Sequence, residues 1–94
     1  MPSIAIKGSI CSGHDGFPPR PSIEGQELFT VNGVPVMATG DAFALHVKPD
    51  NPPHGGTAIG SSHLTINGKK AALVGDAVSC GSTIATGEPL LTAT

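Results

Sequence analysis

This chain of 94 residues has no Trp and no Tyr, only 3 Phe and 2 Cys, and just 13% charged residues. So few aromatics deny it the large side chains that usually anchor a core, and a domain this small buries proportionally little surface. Two cysteines are too few for a disulfide framework, so the thiols need another account. The formal net charge of −2, with dispersed lysines, gives no electrostatic footprint for nucleic acid. No apolar run approaches the roughly 20 residues of a membrane span, and the first residues show no signal-peptide pattern. No G-x-x-x-x-G-K-[ST] occurs, and the "GKK" at 68–70 belongs to an Asn-Gly turn rather than to a phosphate loop.

What the chain does have is glycine and proline, 13 and 9 residues respectively. That composition argues for turns and short strands and against helices. Two stretches read in parallel: "LFTVNGVPVMATGDA" (28–42) and "HLTINGKKAALVGDA" (63–77), superposing without a gap. In each, an alternating strand runs into Asn-Gly, the strongest short hairpin signal, and a second strand ends at Gly-Asp. A third copy is split between the chain ends. "SIAIKGSI" (3–10) matches "PVMATGDA", and "GEPLLTAT" (87–94) matches "GQELFTVN" (25–32). The first strand is therefore expected to pair with the last. The reading is one all-β domain over 1–94, built of three β-hairpins with internal pseudo-threefold symmetry and with the termini close together.

The repeat register also sorts the titratable residues. His14 falls six residues after Gly8 and His46 six after Gly40, whereas Cys80 falls five after Gly75 with Gly81 in the histidine slot. His54 has no repeat equivalent and is tethered to His46 by "VKPDNPP", a stiff surface segment in which Pro fixes φ and cannot donate. Three imidazoles and one thiol can close a tetrahedral site for a borderline-soft ion such as Zn²⁺ with no position open for substrate. His63 sits at the Leu28 position, early in a strand, and is read as an exposed side chain. Cys11 aligns with Phe43 and Val78, so it is read as a buried inert thiol, a Cys11–Cys80 disulfide being the competitor. Asp41 and Asp76 follow glycines, where Asp caps or turns the backbone, and "GFPPRPS" (16–22) is read as a surface loop with a PxxP-like run. No nucleophile–base pairing is visible, so no enzymatic activity is expected.

The "PVMATGD" and "KAALVGD" segments, the Asn-Gly hairpins and the His/Cys set resemble the PAAR-repeat proteins, and "KGSICSGHDGFPPRPSIEG" is similar to the opening of that family's short, stand-alone members. The proline-alanine-alanine-arginine signature itself is degraded, since Pro35-Val36-Met37-Ala38 and Lys70-Ala71-Ala72-Leu73 keep only parts of it. The resemblance implies a cone-shaped tip whose broad base caps the blunt end of a homotrimeric β-helical spike shaft. That shaft is a valine-glycine-repeat spike protein or a phage tail spike, with one tip per trimer and effector cargo as an optional passenger. It further implies a structural Zn²⁺ near the apex, iron being the alternative ion, and transient contact with a target membrane. Such a tip belongs at the distal end of a contractile phage tail, or in the cytoplasm before a type VI secretion system delivers it. Because the closing strand runs to Thr94, no fused effector is expected. The competing classes are a small zinc-binding interaction module with an unrelated cytoplasmic partner, and a minimal metallo-hydrolase with one weakly held ligand.

Overall fold

The computed structural model describes residues 2–14 and 16–94, and among these there is no helix. Six strands occur among the described residues: β1 (Ser3–Ile4), β2 (Gln26–Val31), β3 (Val34–Val36), β4 (Thr65–Ile66), β5 (Lys69–Lys70) and β6 (Glu88–Thr92). They pair antiparallel as β2 with β3, β4 with β5, and β1 with β6. The all-β class expected from composition is therefore the class observed, and the first strand pairs with the last. Pro2 and Ala93 are joined by a backbone hydrogen bond of 3.1 Å.

Both Asn-Gly pairs form the tight turns their chemistry favours. Asn32 and Gly33 have φ of 50° and 79°, and Asn67 and Gly68 have 53° and 78°. Positive φ at both central residues is the type I′ geometry, whose twist matches that of the flanking strands.

The strands are shorter than the repeats because each chain leaves its hairpin mate for a neighbouring repeat. Met37 donates to the Ala5 carbonyl at 2.9 Å, Ala5 to Ala72 at 2.9 Å, and Ala72 to Met37 at 3.0 Å. These three residues occupy the same place in the three repeats, are all fully buried, and close a ring of backbone bonds. A second ring runs from Lys7 to Pro35, Thr39 to Lys70 and Val74 to Ser3. The N–H groups of these six residues thereby find partners across the molecule instead of along a long ladder.

Past these rings the chain turns sharply at Gly8, Gly40 and Gly75, with φ of 96°, 97° and 96°. Only glycine takes such a conformation without strain. The next residue closes the turn with its side chain. Ser9 Oγ accepts the Ile6 N–H at 2.9 Å, Asp41 Oδ2 the Ala38 N–H at 2.8 Å, and Asp76 Oδ2 the Leu73 N–H at 2.8 Å. The structural reading of Asp41 and Asp76 is the one observed.

The core forms two apolar clusters, one of which contains the Ala5–Met37–Ala72 ring. Ile4, Val36, Ile66, Ala71 and Leu73 pack among the hairpins, joined by Phe29, Leu64 and Leu91. Cys11, Phe43, Ala58, Val78 and Ile84 pack with the ring residues themselves, and Cys80 rests against that group. Burying a side chain such as Phe43 or Ile84 contributes on the order of 1.5–3 kcal/mol, so a few of them carry much of a small domain's stability. The molecule measures 39 × 23 × 22 Å.

Replacing Asp41, which is buried and also takes two bonds from Gln26 Nε2, should be costly. Asp41→Ala leaves the Ala38 N–H without an acceptor and should lower unfolding stability by about 1–3 kcal/mol. Asp41→Ser should recover part of that loss, because Ser9 does the same work in the first repeat. Denaturant midpoints measure both, and an unchanged midpoint in the alanine variant would contradict the role given to this turn.

Candidate metal centre

Three loops of unequal length extend from equivalent backbone bonds. Cys11 donates to Arg20 O at 3.0 Å, Phe43 to Gly56 O at 2.9 Å, and Val78 to Ser82 O at 2.9 Å. In the first two loops the ladder continues by one more pair. His14 and Phe17 exchange backbone bonds of 3.2 and 2.6 Å, and His46 and His54 exchange bonds of 2.7 and 3.2 Å. The proline segment thus folds back so that His54 returns directly opposite His46.

The third loop is too short for that extra pair and is a single turn. Gly81 donates to Val78 O at 2.9 Å, and its φ is 103°. A side-chain donor in the Gly81 slot would carry that strain, so the donor of this loop comes one residue earlier, as Cys80. Gly56 makes room for the thiol: a Cβ there would lie 2.9 Å from Cys80 Sγ and 2.8 Å from Val78 Cγ1. Hydroxyls hold the first loop against the third, with Gly13 donating to Ser82 Oγ at 2.9 Å and Thr83 N–H to Ser12 Oγ at 3.1 Å.

The outcome is a single cluster. One donor atom from each of His14, His46, His54 and Cys80 lies within 4.8 Å of every other. His14 Nε2 and His54 Nε2 are 2.8 Å apart, and Cys80 Sγ is 3.4 Å from His46 Nε2. Tetrahedral Zn²⁺ would space two nitrogens by about 3.3 Å and a nitrogen and a sulfur by about 3.6 Å. The four donors are therefore compatible with a metal site. All four residues singled out in the sequence are brought together; His63 is exposed and lies outside the cluster.

The protonation pattern suits a cation as well. His46 is fully buried, and its Nδ1 lies 2.9 Å from the Pro18 carbonyl oxygen. A carbonyl can only accept, so Nδ1 carries the proton and Nε2 presents a lone pair to the thiol side. His54 is held below the ordinary imidazole value of 6.5, first by partial burial and then by the proximity of His14 and His46. A lowered imidazole stabilises the fold above pH 6.5, and that contribution is lost as pH falls through the lowered value.

Three contacts escaped the sequence reading. The loop 16–22 is largely exposed, as expected of a surface loop, but its Phe17 ring also packs on the histidines: the ring centroid lies 4.5 Å from that of His54 and 5.3 Å from that of His14. The signal was available, since Phe29 and Phe43 fall in the repeats while Phe17 is an aromatic with no core position to fill. Cys11 is buried, Cys80 is partly buried, and both thiols are free, so the competing disulfide is not formed. Yet Cys11 Sγ lies 3.7 Å from His46 Nε2, closer to the site than an inert core thiol need be.

No curated protein matches the chain. The family model for the PAAR motif matches residues 12–86, a span that holds all four clustered donors and two of the three Gly turns. The match extends over most of the chain, and the chain belongs to the PAAR-motif family, which is associated with the spike tips of contractile injection systems.

Proposed function

We propose that this chain is a structural tip. It caps the blunt end of a trimeric β-helical spike and sharpens it for membrane puncture, as part of a type VI secretion system or a contractile phage tail. His14, His46, His54 and Cys80 hold one Zn²⁺ that orders the narrow end. The observation that carries this reading is the convergence of four donors on loops that contain few packed apolar side chains. Metal bonds there do the work of a core, and only an ordered point can transmit a driving force.

Docking follows from the recurrence of the hairpins. A homotrimeric shaft presents one surface three times, and a chain with three equivalent hairpins can meet all three copies at once. The ring of bonds through Ala5, Met37 and Ala72 supports such a threefold base. A hydrolytic role draws no comparable support. A site of one thiolate and three imidazoles is coordinatively closed, and among the described residues no pocket opens on the surface.

Elemental analysis of the purified chain should find one zinc per molecule. Cys80→Ser should lose most of it, because a hydroxyl is a poor ligand beside a thiolate, while His63→Ala should keep it. Metal that survives the combined loss of Cys80 and His54 would overturn the ligand assignment. Mixed with a recombinant spike shaft, the chain should associate at one per trimer, read by native mass spectrometry. A ratio of three per trimer would remove the threefold argument, and binding only to an unrelated cytoplasmic protein would favour the interaction-module alternative.

A further inference from the structure

Resting on the metal reading above, the segment Phe17–Arg20 has a task of its own. It supplies no metal donor, yet two of its four residues touch the clustered histidines and a third touches Cys11 beside them. The Phe17 ring meets His54 edge-on at 4.5 Å and 82°, tilts over His14 at 5.3 Å, and reaches His46 at 6.1 Å. The Pro18 carbonyl takes the His46 Nδ1–H at 2.9 Å. The Arg20 N–H points to Cys11 Sγ at 3.3 Å, the thiol that itself lies 3.7 Å from His46 Nε2.

The segment is also built to stay where it is. Pro18 and Pro19 fix φ and have no N–H to compete for the acceptors around them. Gly13 lies so close beneath it that a Cβ there would be 2.5 Å from the Phe17 carbonyl oxygen. From the second loop, Lys48 Nζ lies 4.9 Å from the centre of the Phe17 ring, within cation–π range, and so ties the two histidine-bearing loops across the cluster. His46 is a loop residue and still has no exposed surface, while Phe17 is only partly buried, the arrangement expected of a cover.

We infer that Phe17 is a positioning residue for the metal centre. Its ring fixes the planes of His14 and His54 and shields them from water and competing ligands, so that metal leaves only when the segment lifts. Contacts of this kind, behind the ligands themselves, typically alter metal affinity by about 10–100-fold. The expected consequence is mainly kinetic, because all four donors remain in Phe17→Ala.

The test is release of zinc from the loaded protein to an excess of a chromogenic chelator. Phe17→Ala should bind one zinc and release it about tenfold faster than wild type, at the low end of that range. Phe17→Tyr, which keeps the ring, should restore the slow rate. With Co²⁺ in place of zinc, the thiolate-to-cobalt absorption should persist in Phe17→Ala, showing that the ligands are intact and only the cover is gone. Should the alanine variant fail to fold, Phe17→Leu keeps the bulk without the ring and should also release metal several-fold faster. Equal release rates in zinc-loaded wild type and ring-less variants would overturn this inference and leave the metal reading standing. A wild-type chain with no stoichiometric metal would overturn both.

Discussion

Everything in this molecule hangs on the three backbone bonds that join Ala5, Met37 and Ala72 in a ring. A chain with so few large side chains cannot specify its fold by a single bulky core. It does so by having each repeat donate to the one before and accept from the one after, so that the buried amides of all three ring residues are paired. Alanine and an unbranched methionine are suited to the centre because three backbones must approach closely there. One apolar cluster packs with the ring residues and a second among the hairpins, and glycines at 8, 40 and 75 turn the chain beyond the ring.

The candidate site uses the same framework by departing from it. If the three loops were identical, they would bring like donors together in multiples of three, never four. Their different lengths allow two histidines at equivalent places, a third histidine returning on the proline segment, and a thiol from a turn too tight for a fourth imidazole. Repetition positions the loops, and the differences between them produce a mixed nitrogen and sulfur donor set. The Pro18 carbonyl orients His46 so that Nε2 faces the thiol, and the lowered value of His54 favours its neutral form, so that both rings can offer a lone pair to a cation.

Much of this was legible in the residues. Asn-Gly and Gly-Asp mark turns by local conformational demands that do not depend on the rest of the fold, so the hairpins and their pairing order could be read directly. The donor set was legible because repeat register converts a sequence interval into a spatial one. What could not be read was anything decided by one loop folding on another. Phe17 covers the histidines because the first loop bends over the second, and no periodicity encodes that. Cys11 was correctly placed in the core from its alignment with Phe43 and Val78, but its closeness to His46 depends on how deeply that ring is buried. Strand lengths were overestimated for a related reason: after Val36 and Lys70 the chain remains extended but changes partners.

The most direct test of the central claim, that three imidazoles and the Cys80 thiolate jointly hold one metal ion at the tip, is X-ray absorption at the zinc edge of the purified protein. The account predicts four ligands, three nitrogens at about 2.0–2.1 Å and one sulfur at about 2.3 Å. A shell with no sulfur, a shell with two sulfurs that brings in Cys11, or an added oxygen from water would contradict it.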